Sequence, residues 1–494
     1  MAFCPLDYRY GCQDFKRIWS EDGRHERQLE VERALVWAHQ QMGRVSAEDY
    51  AVIEKIAVPD VVTKQRVSEI EAETRHDIMA LTKAMAEAAG DAGWCVHLGA
   101  TSNDIVDTAV GLQLRDSIVL LRKALCDLIA VCADVAERER DTVMLGRTHG
   151  QAAVPITFGL KAAVWLDELR RHLVRLDEAS PRIAVGKFLG AVGTGAAQGE
   201  GARELQRLIL EHLGLGVPLA TTQVVGRDRY IEYVHWMGNT ATSCQKVLTE
   251  IRNLQRSEIA EAGEGFDVKK QVGSSTMAHK KNPITSENAS GLARIVRSFI
   301  APSHENAILW HERDLANSSA ERFTLSHASA LCEDVLAKTA KVLRGMWVDA
   351  ARCLKNIDDQ RGLVMAEKVM IELTSHGIGR DEAHEILRTA SFTAVETGEH
   401  LMDICMRTPE ITAVFSVQDL DAMIDPAKHN AVTNTRLREQ QRTRITKADD
   451  IVLQCDEERT QGRNLKLAFE RLQALVDEAA VPPKERLVSL EPPA

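Results

Sequence analysis

Aromatic residues are scarce in this chain and make up 4% of its 494 positions. Phe, Tyr and Trp are enriched in strands, so their scarcity disfavours an architecture built mainly from β-sheet. No stretch approaches the ~18 uncharged apolar residues that a membrane-spanning helix needs. With 45% hydrophobic and 27% charged residues, the composition is otherwise that of an ordinary globular protein. We therefore expect a folded protein without a membrane partner.

A basic excess is also missing, because the formal net charge is −11 and the sequence pI is about 5.9. Non-specific binding of nucleic acid depends on a positive field, so we expect no nucleic-acid partner. The ten cysteines include no CxxC pair. The opening residues MAFCPLDYRYG carry acid, base and tyrosine where a secretory signal is apolar. These features lead us to expect a reduced, cytoplasmic protein.

The common motifs of metal and nucleotide enzymes do not occur. The sequence has no HExxH, no Cys/His ligand spacing, no GxGxxG after a strand and no GxxxxGK[ST]. GxSxG is absent as well, which argues against an α/β-hydrolase. Metal-dependent hydrolysis, dinucleotide binding and P-loop chemistry therefore lack support.

Long amphipathic helices dominate the middle of the chain. Apolar residues recur there at spacings of three and four, which predicts one buried stripe on each helix: Ile118, Leu121, Leu125, Leu128, Cys132 and Val135, then Leu166, Leu169, Leu173 and Leu176. Paired stripes of this kind pack as an antiparallel bundle. We divide the chain into an N-terminal helical domain (1–110), a central long-helix bundle (111–355) and a small C-terminal helical domain with a charged tail (356–494).

Four polar segments interrupt this helical pattern. They are TSND at 101–104, GRTHGQ at 146–151, GSSTMAHKKN at 273–282 and WHERDLANSSAER at 310–322. Packing does not require such segments in a helical protein, and loops on a rigid scaffold are where binding and catalytic groups concentrate. These segments are therefore the candidates for a functional site.

The segment at 273–282, called here the signature segment, combines a hydroxyl with cations and an amide. Ser274 is a candidate base for removing a proton beside a carboxylate, and Lys280 and Asn282 can stabilise the charge that moves onto that carboxylate. Pro283 marks a place where a helix can restart. Composition alone favours a solvated Gly/Ser/Lys linker instead.

His149 is a candidate acid, because an imidazole titrates near neutrality and can return a proton to a leaving nitrogen. Glu287, on the helix expected after Pro283, could orient such an imidazole. A single histidine is nevertheless more often structural. The same alternative applies to His76 and Asp77, which lie near the end of a charged helix.

Arg313, Ser318 and Arg322 together would suit a phosphate. On one continuous helix the two arginines lie on opposite faces. They converge only if the helix is interrupted, and Asn317 with the two serines that follow it is a suitable break and N-cap.

Taken together, these segments resemble the fumarase/aspartase superfamily and, within it, the adenylosuccinate lyase family. The resemblance covers most of the chain and rests on these blocks: PLDYRYG, TRHD, GATSNDIVDTA, GRTHGQAAVPITFG, FLGAVGT, GSSTMAHKKNP, WHERDLANSSAER and GLVMAEKVMIEL. It implies an all-α, three-domain subunit whose central helices assemble into the core of a homotetramer with active sites shared between subunits. It also implies cofactor-free elimination of fumarate from a succinyl-nucleotide.

The resemblance also implies a role for each candidate residue. Ser274 would be the base and His149 the acid, supported by Glu287, while Lys280 and Asn282 would hold the succinyl carboxylates. The remaining residues would bind the rest of the substrate: Thr101, Ser102, Thr148 and Gln223 the succinyl group, His76 and Asp77 the leaving group, and Arg9, Tyr10, Arg313, Ser318 and Arg322 the phosphate.

Two positions depart from the usual family signature. Ala278 stands where proline usually follows Met277, and Lys281 stands where adenylosuccinate lyases usually carry arginine. Arg and Lys are not interchangeable at bidentate sites. A sister lyase that removes a non-purine group from a substituted succinate is therefore a second reading. A helical assembly protein that has lost catalysis is a third.

Overall fold

The computed structural model describes residues 3–426 apart from 268, 270, 272 and 278. Most of this range is α-helical, and strands are few and short. The all-α class expected from the sequence is thereby confirmed. Within the described range, no helix is both long enough and apolar enough to cross a membrane. Ala278 and the tail beyond residue 426 lie outside the described residues.

The N-terminal part of the chain consists of short and medium helices. Their bounds are α1 (Pro5–Tyr8), α2 (Gln13–Trp19), α3 (Glu21–Gln41), α4 (Ala47–Ile56), α5 (Lys64–Thr74) and α6 (Asp77–Ala89), followed by a 3₁₀ turn, Gly90–Cys95. Serine or threonine side chains cap the first turns of three of them: Ser20 caps α3, Ser46 caps α4 and Thr63 caps α5. The apolar faces of α3, α4, α5 and α6 form one buried cluster with Phe188 and the buried leucines of residues 205–215.

The long helices form the centre of the fold. They and the elements between them are α7 (Ser102–Arg138), β1 (Val143–Thr148), β2 (Gln151–Thr157), α8 (Phe158–Ile183), α9 (Ala202–His212), α10 (Asp228–Leu254), β3 (Ala262–Gly263), α11 (Ile284–Ser298), α12 (Ile300–Glu305), α13 (Ser318–Gly345) and β4 (Trp347–Val348). A single large apolar cluster joins α7, α8, α10, α11 and α13.

The predicted stripes on α7 and α8 are confirmed as the inner faces of this bundle, since none of their residues is more than 6% exposed. The two helices run in opposite directions. Near one end, a Cβ on Gly159 would lie 2.6 Å from the carbonyl oxygen of Ala136, and near the other a Cβ on Gly111 would lie 2.3 Å from that of Val185. Both glycines therefore allow the close approach of backbones that the bundle requires.

A β-hairpin, which the helical reading did not predict, connects α7 to α8. β1 and β2 pair antiparallel, with Thr148 opposite Gln151. The two-residue turn between them is His149-Gly150, with φ of 53° and 75°. Positive φ at both central residues is the geometry of a type I′ turn, which matches the twist of the flanking strands.

The C-terminal helices form a third apolar cluster with Leu145 of the hairpin. They are α14 (Ala350–Asp358), α15 (Ala366–Ser375), α16 (Arg380–Thr397), α17 (Leu401–Cys405), α18 (Pro409–Thr412) and α19 (Val417–Ile424). The division into three domains stays a prediction. The first boundary, at residue 110, falls inside α7, which continues through it without a break.

Truncation of a stripe residue should destabilise the bundle. Leu125→Ala removes a fully buried side chain, and we expect the free energy of unfolding to fall by about 2–5 kcal/mol because a cavity remains. The matched control is Val119→Ala, since Val119 lies on the same helix but is 62% exposed. Chemical denaturation followed by circular dichroism measures both, and equal losses in the two variants would contradict the packing described here.

Candidate active site

The first group of candidate residues lies at the N-terminal end of α7. Thr101 is the N-cap of this helix and forms a capping box with Asp104. Ser102, the first helical residue, has its hydroxyl 3.5 Å from Nε2 of His76. His76 is itself the N-cap of α6, so it lies between two helices and is followed directly by Asp77. The structure therefore brings the predicted residues of TRHD and TSND together.

A buried ion pair holds the start of α7, and with it this first group, in place. Lys187 is fully buried and pairs with the carboxylate of Asp104, which is 1% exposed. The Lys187 ammonium also donates to the carbonyl oxygen of Gly190, at 3.0 Å. One lysine thus holds the FLGAVGT segment against the start of α7, and loss of either charge would leave the other buried and unpaired.

Arg313 and Gln223 form a second group. The Arg313 guanidinium donates to Oε1 of Gln223 at 3.0 Å. Helix α13 begins at Ser318 with Asn317 as its N-cap, so the break expected in WHERDLANSSAER is confirmed. Arg313 lies in the turn before the helix. Ser318 and Arg322, four residues apart, share one face of its first turns.

A buried arginine that sequence reasoning missed joins these two groups. Arg227 binds Asp107 of α7 through both terminal nitrogens, at 2.6 and 3.0 Å, and binds Glu321 of α13 at 2.9 and 3.1 Å. Asp107 follows Asp104 by three residues, and both carboxylates are buried in a helix. The spacing of these two aspartates in the sequence could have predicted such an arginine, because two carboxylates on one buried helix face require cationic partners.

The third group is the signature segment, which folds back on itself. The hydroxyl oxygen of Ser274 accepts hydrogen bonds from the backbone N–H groups of Thr276 and Met277, at 3.4 and 3.1 Å. The Asn282 side chain donates to the carbonyl oxygen of Gly273 at 2.7 Å. A Cβ on Gly273 would lie 1.9 Å from the carbonyl oxygen of Lys280. Ser274, Lys280 and Asn282 are therefore neighbours, and Glu287 follows in the first turn of α11.

Tyr10 packs between α11, which follows this third group, and α13. Its hydroxyl oxygen accepts a hydrogen bond from Asn288 at 3.3 Å, and the ammonium of Lys338 lies 4.8 Å from its ring centre. The next residue, Gly11, also packs against α13, where a Cβ on it would lie 3.3 Å from Cβ of Ala330. The start of the chain, including exposed Arg9, therefore runs along the helix that carries Ser318 and Arg322. The gathering of these residues around one phosphate stays a prediction.

His149 is exposed at the tip of the hairpin, and within the described part of the chain no hydrogen bond or ion pair joins it to Ser274 or Glu287. The strand below it is anchored by Arg147, whose guanidinium binds both carboxylate oxygens of fully buried Glu261 at 2.7 Å. The predicted dyad of His149 and Glu287 is therefore not formed inside one chain.

Helix α7 separates the hairpin from the first group. Its 37 residues span about 55 Å, and the eleven residues from Glu139 to His149 can return at most about 37 Å of that distance. Thr148 and His149 are consequently at least about 18 Å from Thr101 in the same chain.

No group of three or more His, Cys, Asp or Glu side chains in the described residues is arranged to hold a metal ion. The nine cysteines in this range are free, and seven of them are buried.

Comparison with known proteins decides the family. A family model described as "Lyase" matches residues 12–297, and one described as "Adenylosuccinate lyase C-terminus" matches residues 362–435. The chain is 45% identical to the adenylosuccinate lyase of Archaeoglobus fulgidus over 88% of this chain and 97% of that protein. It is 46% identical to that of Methanothermobacter thermautotrophicus, over 86% and 95%. The chain belongs to the adenylosuccinate lyase family.

Solved structures agree with this membership. A fumarate lyase from Mesorhizobium sp. BNC1 superposes with a TM-score of 0.77 at 32% identity, covering 85% of this chain and 95% of that one. The 3-carboxy-cis,cis-muconate lactonizing enzyme of Pseudomonas putida superposes with a TM-score of 0.79, also at 32% identity, covering 89% and 99%. The resemblance read from the sequence blocks is confirmed, and this member of the adenylosuccinate lyase family is a lyase of the fumarase/aspartase superfamily.

An imidazole that sequence reasoning missed supports the TSND segment of this lyase. Nδ1 of His97 lies 2.6 Å from the carboxylate of Glu32, which is fully buried, and the His97 backbone N–H donates to the same carboxylate at 3.2 Å. Burial lowers the pKa of His97, but the Glu32 carboxylate outweighs it, so the pKa is raised above its ordinary value. The segment that leads into Thr101 is thus tied to α3 by a charged pair.

This pair predicts a pH dependence of stability. A histidine whose pKa is raised in the folded state stabilises the fold fully below its unfolded pKa of about 6.5 and loses that contribution as pH rises through its folded pKa. We expect the difference in Tm between wild type and His97→Gln to be largest near pH 6 and to shrink at alkaline pH. The control is His384→Gln, an exposed residue on α16. Thermal unfolding from pH 6 to 9 measures all three, and a pH-independent difference for His97→Gln would contradict the assignment.

Proposed function

We propose that this enzyme eliminates fumarate from adenylosuccinate, giving AMP, and from the succinyl-aminoimidazole carboxamide ribotide, both in purine nucleotide biosynthesis. The relatives named adenylosuccinate lyase, at 42–46% identity over most of the chain, support this substrate class. We place the enzyme in the cytoplasm as part of the same proposal.

The environment of Ser274 is the observation that carries the chemistry. A serine hydroxyl is a weak base unless its alkoxide is stabilised, and two backbone N–H groups already point at this oxygen. In the proposed reaction Ser274 reacts as the alkoxide, whose oxygen takes the proton from Cβ of the succinyl group and becomes a hydroxyl. The electron pair moves onto the adjacent carboxylate, where the Lys280 ammonium and the Asn282 amide stabilise the negative charge.

The C–N bond then breaks and fumarate forms. His149 gives its proton to the departing purine nitrogen, and Glu287 supports the imidazolium. His76 and Asp77 position the leaving group, while Thr101, Ser102, Thr148 and Gln223 bind the succinyl group. Protons and electrons balance: one proton passes to Ser274 and one leaves His149.

The start of α13 supports a phosphate site. The N-terminal end of this 28-residue helix favours an anion, and Arg313, Ser318 and Arg322 add two cations and a hydroxyl. Glu321 in the same turn would oppose an anion, but buried Arg227 binds its carboxylate. A phosphate at this helix end thus meets net positive charge.

The length of α7 supports active sites shared between subunits of a homotetramer. Thr101 and Thr148 are assigned to the same succinyl group, yet they are at least about 18 Å apart in one chain, farther than a four-carbon group extends. They can meet one substrate only if different subunits supply them. The long helices also expose apolar side chains, among them Val164 of α8 (57% exposed) and Ile295 of α11 (48%), as surfaces that a neighbouring copy can cover.

A sister lyase acting on another substituted succinate is the second candidate, and Lys281 in place of the usual arginine favours it. Loss of the ultraviolet absorbance of adenylosuccinate on incubation with the purified protein separates the two. Turnover supports the first candidate. Absence of turnover together with elimination from another substituted succinate would overturn it in favour of the second.

Removal of the proposed base should abolish most activity without affecting the fold. We expect Ser274→Ala to lower kcat by at least about 10²-fold, because the variant lacks the oxygen that takes the proton in the proposed reaction. Ser275→Ala is the matched control, one residue along in the same exposed segment, and it should retain near wild-type kcat. Steady-state kinetics with adenylosuccinate and a Tm measurement test both variants. A Ser274→Ala enzyme as active as wild type would show that the proton goes elsewhere.

Complementation should reveal sites built from more than one subunit. His149→Gln and Ser274→Ala are each expected to be nearly inactive. After dissociation and reassembly of an equal mixture, about a quarter of the sites would receive both intact residues if these come from different subunits. Recovery of activity toward that fraction, with each variant reassembled alone as the control, is the expected result. No recovery in mixed tetramers confirmed by native mass spectrometry would contradict shared sites.

A further inference from the structure

The two chain segments that flank the signature segment are held by one side chain. Gln255 follows the C-terminal end of α10, and its amide oxygen accepts a hydrogen bond from the backbone N–H of Glu264 at 2.9 Å. Its amide nitrogen donates to the carbonyl oxygen of Lys281, also at 2.9 Å. One planar group therefore sets the position of the segment before Ser274 relative to the segment after it.

Glu264 makes a second connection between the segment before and the segment after the signature segment. Helix α11 begins after Pro283, whose side chain offers no capping oxygen. The Glu264 carboxylate replaces the missing cap: it accepts from the backbone N–H groups of Thr285 and Ser286, at 3.0 and 2.9 Å, and from the Ser286 hydroxyl at 2.8 Å. Glu264 is only 7% exposed, and a carboxylate at a helix N-terminus is stabilised by the helix dipole.

Close packing leaves the Gln255 side chain little freedom. A Cβ on Gly263 would lie 2.8 Å from Cγ of Gln255 and 2.7 Å from the ring of Trp347. Gly263 belongs to β3, which pairs with β4. Gln255, at one end of this connection, is therefore packed against a rigid part of the bundle.

At its other end, near Lys281, the connection reaches Ser274 through two contacts already described. Gly273 lies against the Lys280 backbone, and Asn282 holds the Gly273 carbonyl oxygen. A displacement at Lys281 is thus transmitted directly to the residue beside Ser274. In a reaction that requires near-attack geometry, an error of about 1 Å can cost about 10²-fold in rate.

We propose that Gln255 and Glu264 are positioning residues for the elimination, holding Ser274 in register with Lys280 and Asn282. They touch no reacting atom and act through the backbone of the signature segment. The inference rests on the proposed function for its kinetic consequence, while its structural consequence is independent of any substrate.

The test uses Gln255→Glu in the full-length protein. This variant keeps an oxygen for the Glu264 N–H but places a second oxygen against the Lys281 carbonyl, so one connection is lost with almost no change in shape. Gln360→Glu is the matched control, because Gln360 also follows a helix end and donates to a carbonyl oxygen, that of Asn356, away from the signature segment.

Hydrogen–deuterium exchange is the first readout. We expect the amides of residues 279–287 to exchange at least about 5-fold faster in Gln255→Glu than in wild type or Gln360→Glu, with the rest of the chain unchanged. Unchanged exchange in this stretch would overturn the proposal. Uniformly faster exchange with a lowered Tm would overturn it too, since the glutamine would then serve general stability.

Kinetics with adenylosuccinate is the second readout. We expect Gln255→Glu to lower kcat by about 10-fold with KM changed by less than about 3-fold, the signature of lost transition-state alignment. Equal kcat for Gln255→Glu and wild type would overturn a positioning role. A wild type without turnover rejects the proposed function instead, and exchange then decides the structural part alone. If Gln255→Glu does not fold, Glu264→Gln, which loses one capping oxygen of α11, takes its place in both readouts.

Discussion

The length and continuity of α7 constrain everything else in this structure. Thirty-seven residues of uninterrupted helix make a rod of about 55 Å, and its buried stripe holds it against α8 and the rest of the bundle. The TSND segment is attached to one end of this rod and the His149 hairpin to the other. Because the rod cannot shorten, groups assigned to one succinyl substrate are kept apart in the subunit. The active site shared between subunits that we propose rests on this separation.

Each end of the rod is fixed by buried charge rather than by apolar packing alone. Asp104 with Lys187 and Asp107 with Arg227 hold the N-terminal end, while Arg147 with Glu261 holds the hairpin beyond the C-terminal end. Buried ion pairs contribute little net stability when compared with apolar side chains of the same volume, but breaking one leaves an uncompensated charge. Their effect here is positional: they keep exposed site residues on backbones that cannot shift.

The signature segment is also held in position, chiefly by hydrogen bonds to its backbone. Ser274 is exposed enough to meet a substrate, yet its oxygen receives two backbone N–H groups, and its neighbour Gly273 is packed against Lys280 and Asn282. Gln255 and Glu264 then tie both flanking segments to the ends of α10 and α11. A loop that carries a reactive group can in this way remain accessible at its tip and fixed at its base.

The sequence by itself determined the helical class, the buried stripes of α7 and α8, the helix starts at Ile284 and Ser318, and the chemical types present at the site. These are local properties, since the 3.6-residue period and capping residues are written in consecutive positions. It did not reveal the hairpin that carries His149, because the two strands are short and lack aromatic residues. They therefore give no clear strand pattern. Nor did it reveal the partners of Asp107, Glu261 or Gln255, which lie 95 or more residues away for the first two and across a folded loop for the third. Only the tertiary structure decided which candidates are neighbours and which are separated by a rigid helix, because distance in space depends on how the chain returns on itself.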